Sequence, residues 1–208
     1  MRIDHSDNGP GALSQADARD QEDMARIVAG HSEALDDLMI RQAPKLLQYL
    51  IRSLQDEADA ADLAQESFVR VYQHRAKFNP SQRFSTWLYA IASNLVRDRY
   101  RHRSRHPQVR LDGEKNAANE SFLESLEEPR PTPADGMEAE ERFATIRSAV
   151  QALPEDLRLA LILFEYEELS QAEIAEVLDC SPKAVETRLY RARRQLRERL
   201  GRLLDRRH

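Results

Sequence analysis

The chain has 208 residues, 31 Lys and Arg against 36 Asp and Glu, a formal net charge of −5 and a single cysteine. That length accommodates one or two small domains with their own cores, and the lone Cys180 excludes an intramolecular disulfide or a multi-cysteine metal site and suits a reducing cytoplasm. No apolar run approaches the ~20 residues of a membrane span, the polar N-terminus lacks the order of a signal peptide, and the Ala, Leu, Arg and Glu content predicts an all-α, cytoplasmic protein without membrane insertion.

Residues 1–22 are polar and broken by Gly9, Pro10 and Gly11, and are expected to form a disordered tail. A first domain is expected over 23–106. Its first helix carries Met24, Ile27 and Val28. A second begins near Ser32 and continues through Leu35, Leu38 and Met39, with Pro44 expected to interrupt or kink it before Leu47, Leu50, Ile51 and Leu54.

The third helix runs from about Glu57 to His74, with Ala61, Ala64, Phe68 and Val71 as its buried side. Asp59, Asp62 and Glu66 line the other side, with Gln65 and Val69 at the margin. Asp62 and Glu66 form a like-charged i,i+4 pair that costs a few tenths of a kcal/mol. Such a stripe invites a basic partner, although the residues alone favour a solvated face partly balanced by Arg70.

After Asn79 and Pro80, Ser85 is expected to cap a fourth long helix in which Leu88, Ile91 and Leu95 face inward. Trp87, Asn94 and Arg101 share one edge, and the neighbouring polar face offers Thr86, Ala90, Ser93, Arg97 and Tyr100. Aromatic, amide and guanidinium groups beside small residues suit a single strand whose bases stack or flip out; a partly buried tryptophan at the edge of a core fits the same spacing. His102 and His106 supply at most half a metal site among repelling arginines, so no metal or cofactor is expected.

Residues 107–136 read as a flexible linker, with Pro129, Pro131 and Pro133 and no sustained periodicity. Between Asp112 and Glu141 ten carboxylates face only Lys115 and Arg130, whereas Arg97–Arg110 holds six arginines against one acid, and Arg188 to the end nine against two. Two basic patches flanking an acidic segment suit two nucleic-acid contacts separated by a spacer.

A second domain is expected over 137–208, opening with Phe143, Ile146, Val150 and Leu153 on one helix face and Leu157, Leu161 and Phe164 on the next, started by Pro154. A helix-turn-helix follows. Ser170 and Glu173 form a capping box ahead of Ile174, Val177 and Leu178, Asp179 and Cys180 make the turn, and Ser181 caps a helix with Pro182 at its first position. Val185, Leu189, Ala192 and Leu196 stripe one side of that helix, while Lys183, Thr187, Tyr190, Arg191 and Arg194 project from the other. Long cations, a hydroxyl and an aromatic ring are what a duplex reader needs. Glu186, on the flank, would repel phosphate, so it accepts from a cytosine or pairs with a neighbour.

Taken in order, DEADAADLAQESFVRVY, FSTWLYAIASNLVRD with its arginine tract, and ALPEDLRLALILFEYEELSQAEIAEVLDCSPKAVETRLYRAR make this chain resemble the extracytoplasmic-function (ECF) group of sigma-70 family factors over about residues 25–200. The resemblance implies two small helical domains, sigma regions 2 and 4, in a factor that binds core RNA polymerase and directs it to promoter DNA. It implies that Asp59, Asp62, Leu63, Gln65, Glu66 and Phe68 contribute to gripping the clamp of the largest polymerase subunit, with the flap of the second-largest subunit as a further contact. It places minus-10 reading and melting on Phe84, Trp87, Asn94, Arg97 and Arg101, and minus-35 reading on Ser181, Lys183, Thr187, Arg188, Tyr190, Arg191 and Arg194. An anti-sigma factor is an expected partner. Ala90 and Glu186 depart from basic residues common in the family, which bears on promoter sequence rather than on activity.

The alternative is a conventional helix-turn-helix regulator that binds duplex DNA without polymerase; a third reading is a helical adaptor whose arginines are merely solvated. No glycine-rich phosphate loop or paired catalytic motif is present, so no enzyme activity and no catalytic residue are expected.

Overall fold

The computed structural model describes residues 15–105 and 136–205, with side chains described for 15–105 and 144–201. Eight α-helices are described: α1 Gln15–Val28, α2 Ala34–Leu54, α3 Glu57–His74, α4 Phe84–Arg105, α5 Gly136–Gln151, α6 Glu155–Glu165, α7 Gln171–Leu178 and α8 Pro182–Asp205. The expected linker, apart from Gly136, and residues 1–14 of the expected tail lie outside the described residues, as do the side chains of His106 and Phe143.

Helices α2, α3 and α4 pack on one another, and the periodicity of each selects the buried side. In α3 the four expected residues Ala61, Ala64, Phe68 and Val71 are all buried. In α4 the expected Leu88 and Leu95 are buried and Ile91 is half-buried against the core, and Phe84, Ala92 and Val96 join them. Tyr49 of α2 is fully buried; its ring meets Tyr89 edge-on at 5.1 Å and its hydroxyl lies 2.7 Å from Ser93 Oγ. Burial pushes the Tyr49 phenol up to about 12, so the group stays neutral and hydrogen-bonded.

Three elements differ from expectation. Helix α1 begins at Gln15, inside the stretch assigned to a tail, because three of its acids are buried against partners distant in sequence. Asp20 Oδ1 accepts from Arg41 at 2.9 Å and Oδ2 from Gln42 at 2.5 Å, and Asp17 accepts from Arg83 at 3.0 Å. Burial raises the Asp20 carboxyl despite these bonds. Pro44 lies inside a continuous α2. Ser85 falls within the first turn of α4, whose first backbone bond runs from Trp87 N–H to the Arg83 carbonyl at 3.4 Å.

The second half is built as its caps dictate. Ser170 Oγ accepts from the Glu173 backbone N–H at 3.3 Å and the Glu173 carboxylate accepts from Ser170 N–H at 2.9 Å, which fixes the start of α7. Asp179 adopts φ 49°, a left-handed conformation that Asp tolerates better than most residues, and turns the chain into α8. Ser181 Oγ then accepts from Ala184 N–H at 3.2 Å. Val185, Leu189 and Ala192 of α8 are buried. The apolar core is continuous across the two halves: Leu159, Ile162, Ile174 and Leu178 belong to the same cluster as Tyr49, Leu88 and Val96.

Replacing the cap, Ser170→Ala, should lower the unfolding free energy by about 1 kcal/mol. Urea denaturation followed by circular dichroism measures this, and Ser170→Asp should retain wild-type stability.

Candidate nucleic-acid interface

The face of α8 opposite its buried stripe is exposed, and several of its side chains pair within the helix. Tyr190, Arg191 and Arg194 are exposed, with Tyr190 62 % accessible. Lys183 Nζ lies 2.7 Å from Glu186 Oε2, so Glu186 pairs with the lysine one turn before it. Thr187 Oγ1 donates to the Lys183 carbonyl at 2.9 Å, and Arg194 Nε to Glu198 at 3.0 Å. Arg188 is different. It donates to Cys180 Sγ at 3.2 Å and lies 3.6 Å from Asp156, which places it at the base of the helix and steadies the turn.

On α4, Trp87 is half-buried, its ring 5.2 Å from Phe78 and 6.2 Å from Phe84, so it belongs to an aromatic cluster at the rim of the core. Phe84 is fully buried and supports Trp87 from beneath. Asn94 and Arg101 are exposed on the same edge. Asn94 Oδ1 accepts from Arg97 Nη1 at 2.9 Å, and Arg101 pairs with Asp98 at 2.8 Å. The expected edge is therefore assembled as an aromatic, an amide and a guanidinium two turns apart from one another, while Thr86 and Ser93 of the neighbouring face are buried.

The acidic stripe of α3 divides in two. Asp62 is exposed, and Gln65 and Glu66 are half-buried, with Glu66 accepting from Arg70 at 2.8 Å. Val69 and Tyr72 extend this surface with exposed apolar area. Asp59 instead turns towards α4, where Arg99 donates at 3.0 Å and Arg103 donates to both Asp59 and Asp56. Leu63 and Phe68, 5 % and 2 % exposed, lie in the core and set the position of the stripe rather than forming part of its surface.

Other contacts had no signal in the sequence. Glu167, in the loop before α7, accepts from the Tyr89 hydroxyl at 2.5 Å and lies 3.4 Å from Arg52; burial raises its carboxyl. Arg158 is buried, donates to the Gln151 carbonyl at 2.8 Å and stacks over Tyr100 at 4.8 Å. Among the described residues no group of His, Cys, Asp and Glu is arranged to hold a metal ion, and no helix is long and apolar enough to cross a membrane.

The family model described as Sigma-70 region 2 matches residues 29–106, and that described as Sigma-70, region 4 matches 143–196. The RNA polymerase sigma-H factor of Pseudomonas aeruginosa is 35 % identical over 188 residues, 89 % of this chain and 96 % of that protein. The ECF RNA polymerase sigma factor SigW of Bacillus subtilis is 32 % identical, covering 84 % and 93 %. The chain belongs to the sigma-70 family, in its ECF group. Its fold is similar to that of CnrH solved in complex with the cytosolic domain of CnrY, with a TM-score of 0.61 and 27 % identity over 90 % of this chain and 97 % of that one. Region 2 of this sigma factor thus comprises the α2–α4 unit, and region 4 ends in the α7–α8 helix-turn-helix.

Because Asp59 bridges α3 and α4 in this sigma factor, Asp59→Ala should cost about 1 kcal/mol of stability, the partial exposure of Arg99 and Arg103 limiting the loss. Chemical denaturation reads the change, which should shrink as salt is raised.

Proposed function

We propose that this protein is a transcription initiation factor that binds bacterial core RNA polymerase and directs it to specific promoters. The observation that carries the reading is the coexistence, in one chain, of an exposed acidic and apolar surface on α3 with an aromatic and amide edge on α4 and an exposed cationic face on α8. A regulator acting on duplex DNA alone has no use for the first or for an aromatic and amide edge on α4. Family membership over both regions supports the same division of labour.

In this mechanism Asp62, Gln65 and Glu66 dock on the clamp of the largest polymerase subunit, with Val69 and Tyr72 adding apolar area; Leu63 and Phe68 hold that helix in place. Region 4 contributes the contact with the flap of the second-largest subunit. Lys183, Thr187, Tyr190, Arg191 and Arg194 meet the minus-35 duplex, the cations neutralising phosphates and a guanidinium being able to pair with a guanine edge. Ser181 and Arg188 fix the entry of α8. Trp87, Asn94 and Arg101 then capture the opened minus-10 strand. Flipping a base costs a few kcal/mol of stacking, offset when polymerase and sigma factor together supply a pocket and a positively charged channel. No step calls for catalysis by the chain or for a cofactor.

An anti-sigma factor is the further partner we propose. Structures of similar fold include CnrH with the cytosolic domain of CnrY and the sigma factor RpoE of Bartonella quintana with the anti-sigma factor NepR. A chain acting on polymerase and promoter DNA works in the cytoplasm.

Asp62→Arg tests the assignment of α3. It should abolish co-purification with core polymerase, a loss of a hundredfold or more in affinity, while the urea midpoint stays within error of wild type because Asp62 is exposed. Unchanged co-purification would contradict this docking face.

A further inference from the structure

The exposed face of α8 is cationic, yet an acid stands in its opening turns. From Pro182 to Tyr190 the exposed positions are Pro182, Lys183, Glu186 and Tyr190, the last three spaced i, i+3 and i+7 and so in one line along the helix. Between Pro182 and Arg197, Glu186 is the only carboxylate. Two neighbours of this line are engaged elsewhere: Thr187 Oγ1 donates to the Lys183 carbonyl, and Arg188 is drawn to Cys180 and Asp156. In a helix-turn-helix the N-terminal residues of the second helix come closest to the base edges. Lys183 and Glu186 hold those places.

A carboxylate there weakens DNA binding unless it reads a base. It repels phosphate, and it can only accept hydrogen bonds. In the major groove guanine offers O6 and N7 and thymine offers O4, all acceptors; adenine sets its N7 acceptor beside its amino group, whereas cytosine offers the N4 amino group alone. Against guanine or thymine Glu186 becomes a desolvated charge facing acceptors, while against cytosine it is hydrogen-bonded. In the free chain Lys183 Nζ meets the carboxylate at 2.7 Å, but the two side chains are 80 % and 55 % exposed, so the pair contributes little and is readily exchanged. A phosphate or a guanine edge that takes Lys183 frees the carboxylate. Three residues of helix rise separate the two side chains by about 4.5 Å along the axis, comparable with the ~3.4 Å step between bases, so they can address neighbouring base pairs.

We propose that Glu186 is a specificity-determining residue of α8: its carboxylate accepts from the N4 amino group of a cytosine in the upstream promoter duplex, with Lys183 as its partner until DNA is bound. This role rests on the assignment of α8 to the minus-35 duplex and names one base which that element must contain.

The test uses core polymerase with the full chain. Run-off from genomic fragments supplies a promoter; its upstream element is then randomised, and the templates that yield transcript are sequenced for wild type, Glu186→Ala and Glu186→Gln. Urea denaturation checks the fold, and the three midpoints should coincide because position 186 is exposed. Wild type should fix one position of the element as cytosine on one strand. Glu186→Ala should relax that position alone, with the preference for cytosine falling about tenfold or more. Glu186→Gln, whose amide matches N6 and N7 of adenine, should move the same position from cytosine to adenine. A carboxylate that only braced Lys183 would leave base preference untouched. Identical preferences in all three proteins, or a uniform gain on every sequence once the charge is removed, therefore overturn base reading by Glu186 and leave the minus-35 assignment of α8 standing. Relaxation at a position fixed as a base other than cytosine overturns it as well. A wild-type chain that directs no start sites at all overturns the initiation-factor reading and the role of Glu186 with it.

Discussion

The contact of α4 with α2 and α3 is the one on which the rest of the molecule depends, because α4 has a use on every side. Phe84, Leu88, Leu95 and Val96 drive it into the core by burying apolar surface. Tyr49 and Ser93 add a buried hydroxyl pair that fixes rotation about the helix axis. With rotation and depth set, Trp87, Asn94 and Arg101 must emerge along one edge. At the far end of the helix, Arg99 and Arg103 reach back to Asp59 and Asp56 and so fix α3 and its acidic surface. One buried ridge thus positions the Trp87–Arg101 edge of α4 and the acidic stripe of α3 together.

The helix-turn-helix follows the same logic on a smaller scale. A capping box, a left-handed Asp179 and a serine cap determine where α7 ends and α8 begins. The buried stripe from Val185 to Ala192 then turns Tyr190, Arg191 and Arg194 outward. Two cations of α8, Lys183 and Arg194, are locally balanced by Glu186 and Glu198. In the proposed function a phosphate backbone would compete with those carboxylates for the same lysine and arginine.

Periodicity and capping made most of the architecture legible from the sequence: the bounds of α3, the helix-turn-helix and the inward faces of α3, α4 and α8 follow from residue spacing. What escaped depends on partners distant along the chain. Nothing local marks Asp17 and Asp20 as buried, since Arg41 and Gln42 lie in α2 and Arg83 just before α4. Asp59 and Asp62 look alike as sequence, and only the position of Arg99 and Arg103 separates an internal brace from an exposed acid. The resemblance grouped Leu63 and Phe68 with the docking residues, although their hydrophobicity directs them inward. Pro44 reads as a breaker in one dimension, yet α2 runs through it. The contacts of Glu167 and Glu173 with region 2 span 78 and 90 residues and were invisible to any local pattern.

The measurement that bears most directly on the central claim is run-off transcription from a fragmented genomic library with purified core polymerase, with and without the protein. New, discrete start sites appearing only when the protein is added are the predicted result, and their upstream sequences would give its promoter. The absence of new starts, together with duplex binding by the protein alone, would contradict an initiation factor and identify a conventional helix-turn-helix regulator.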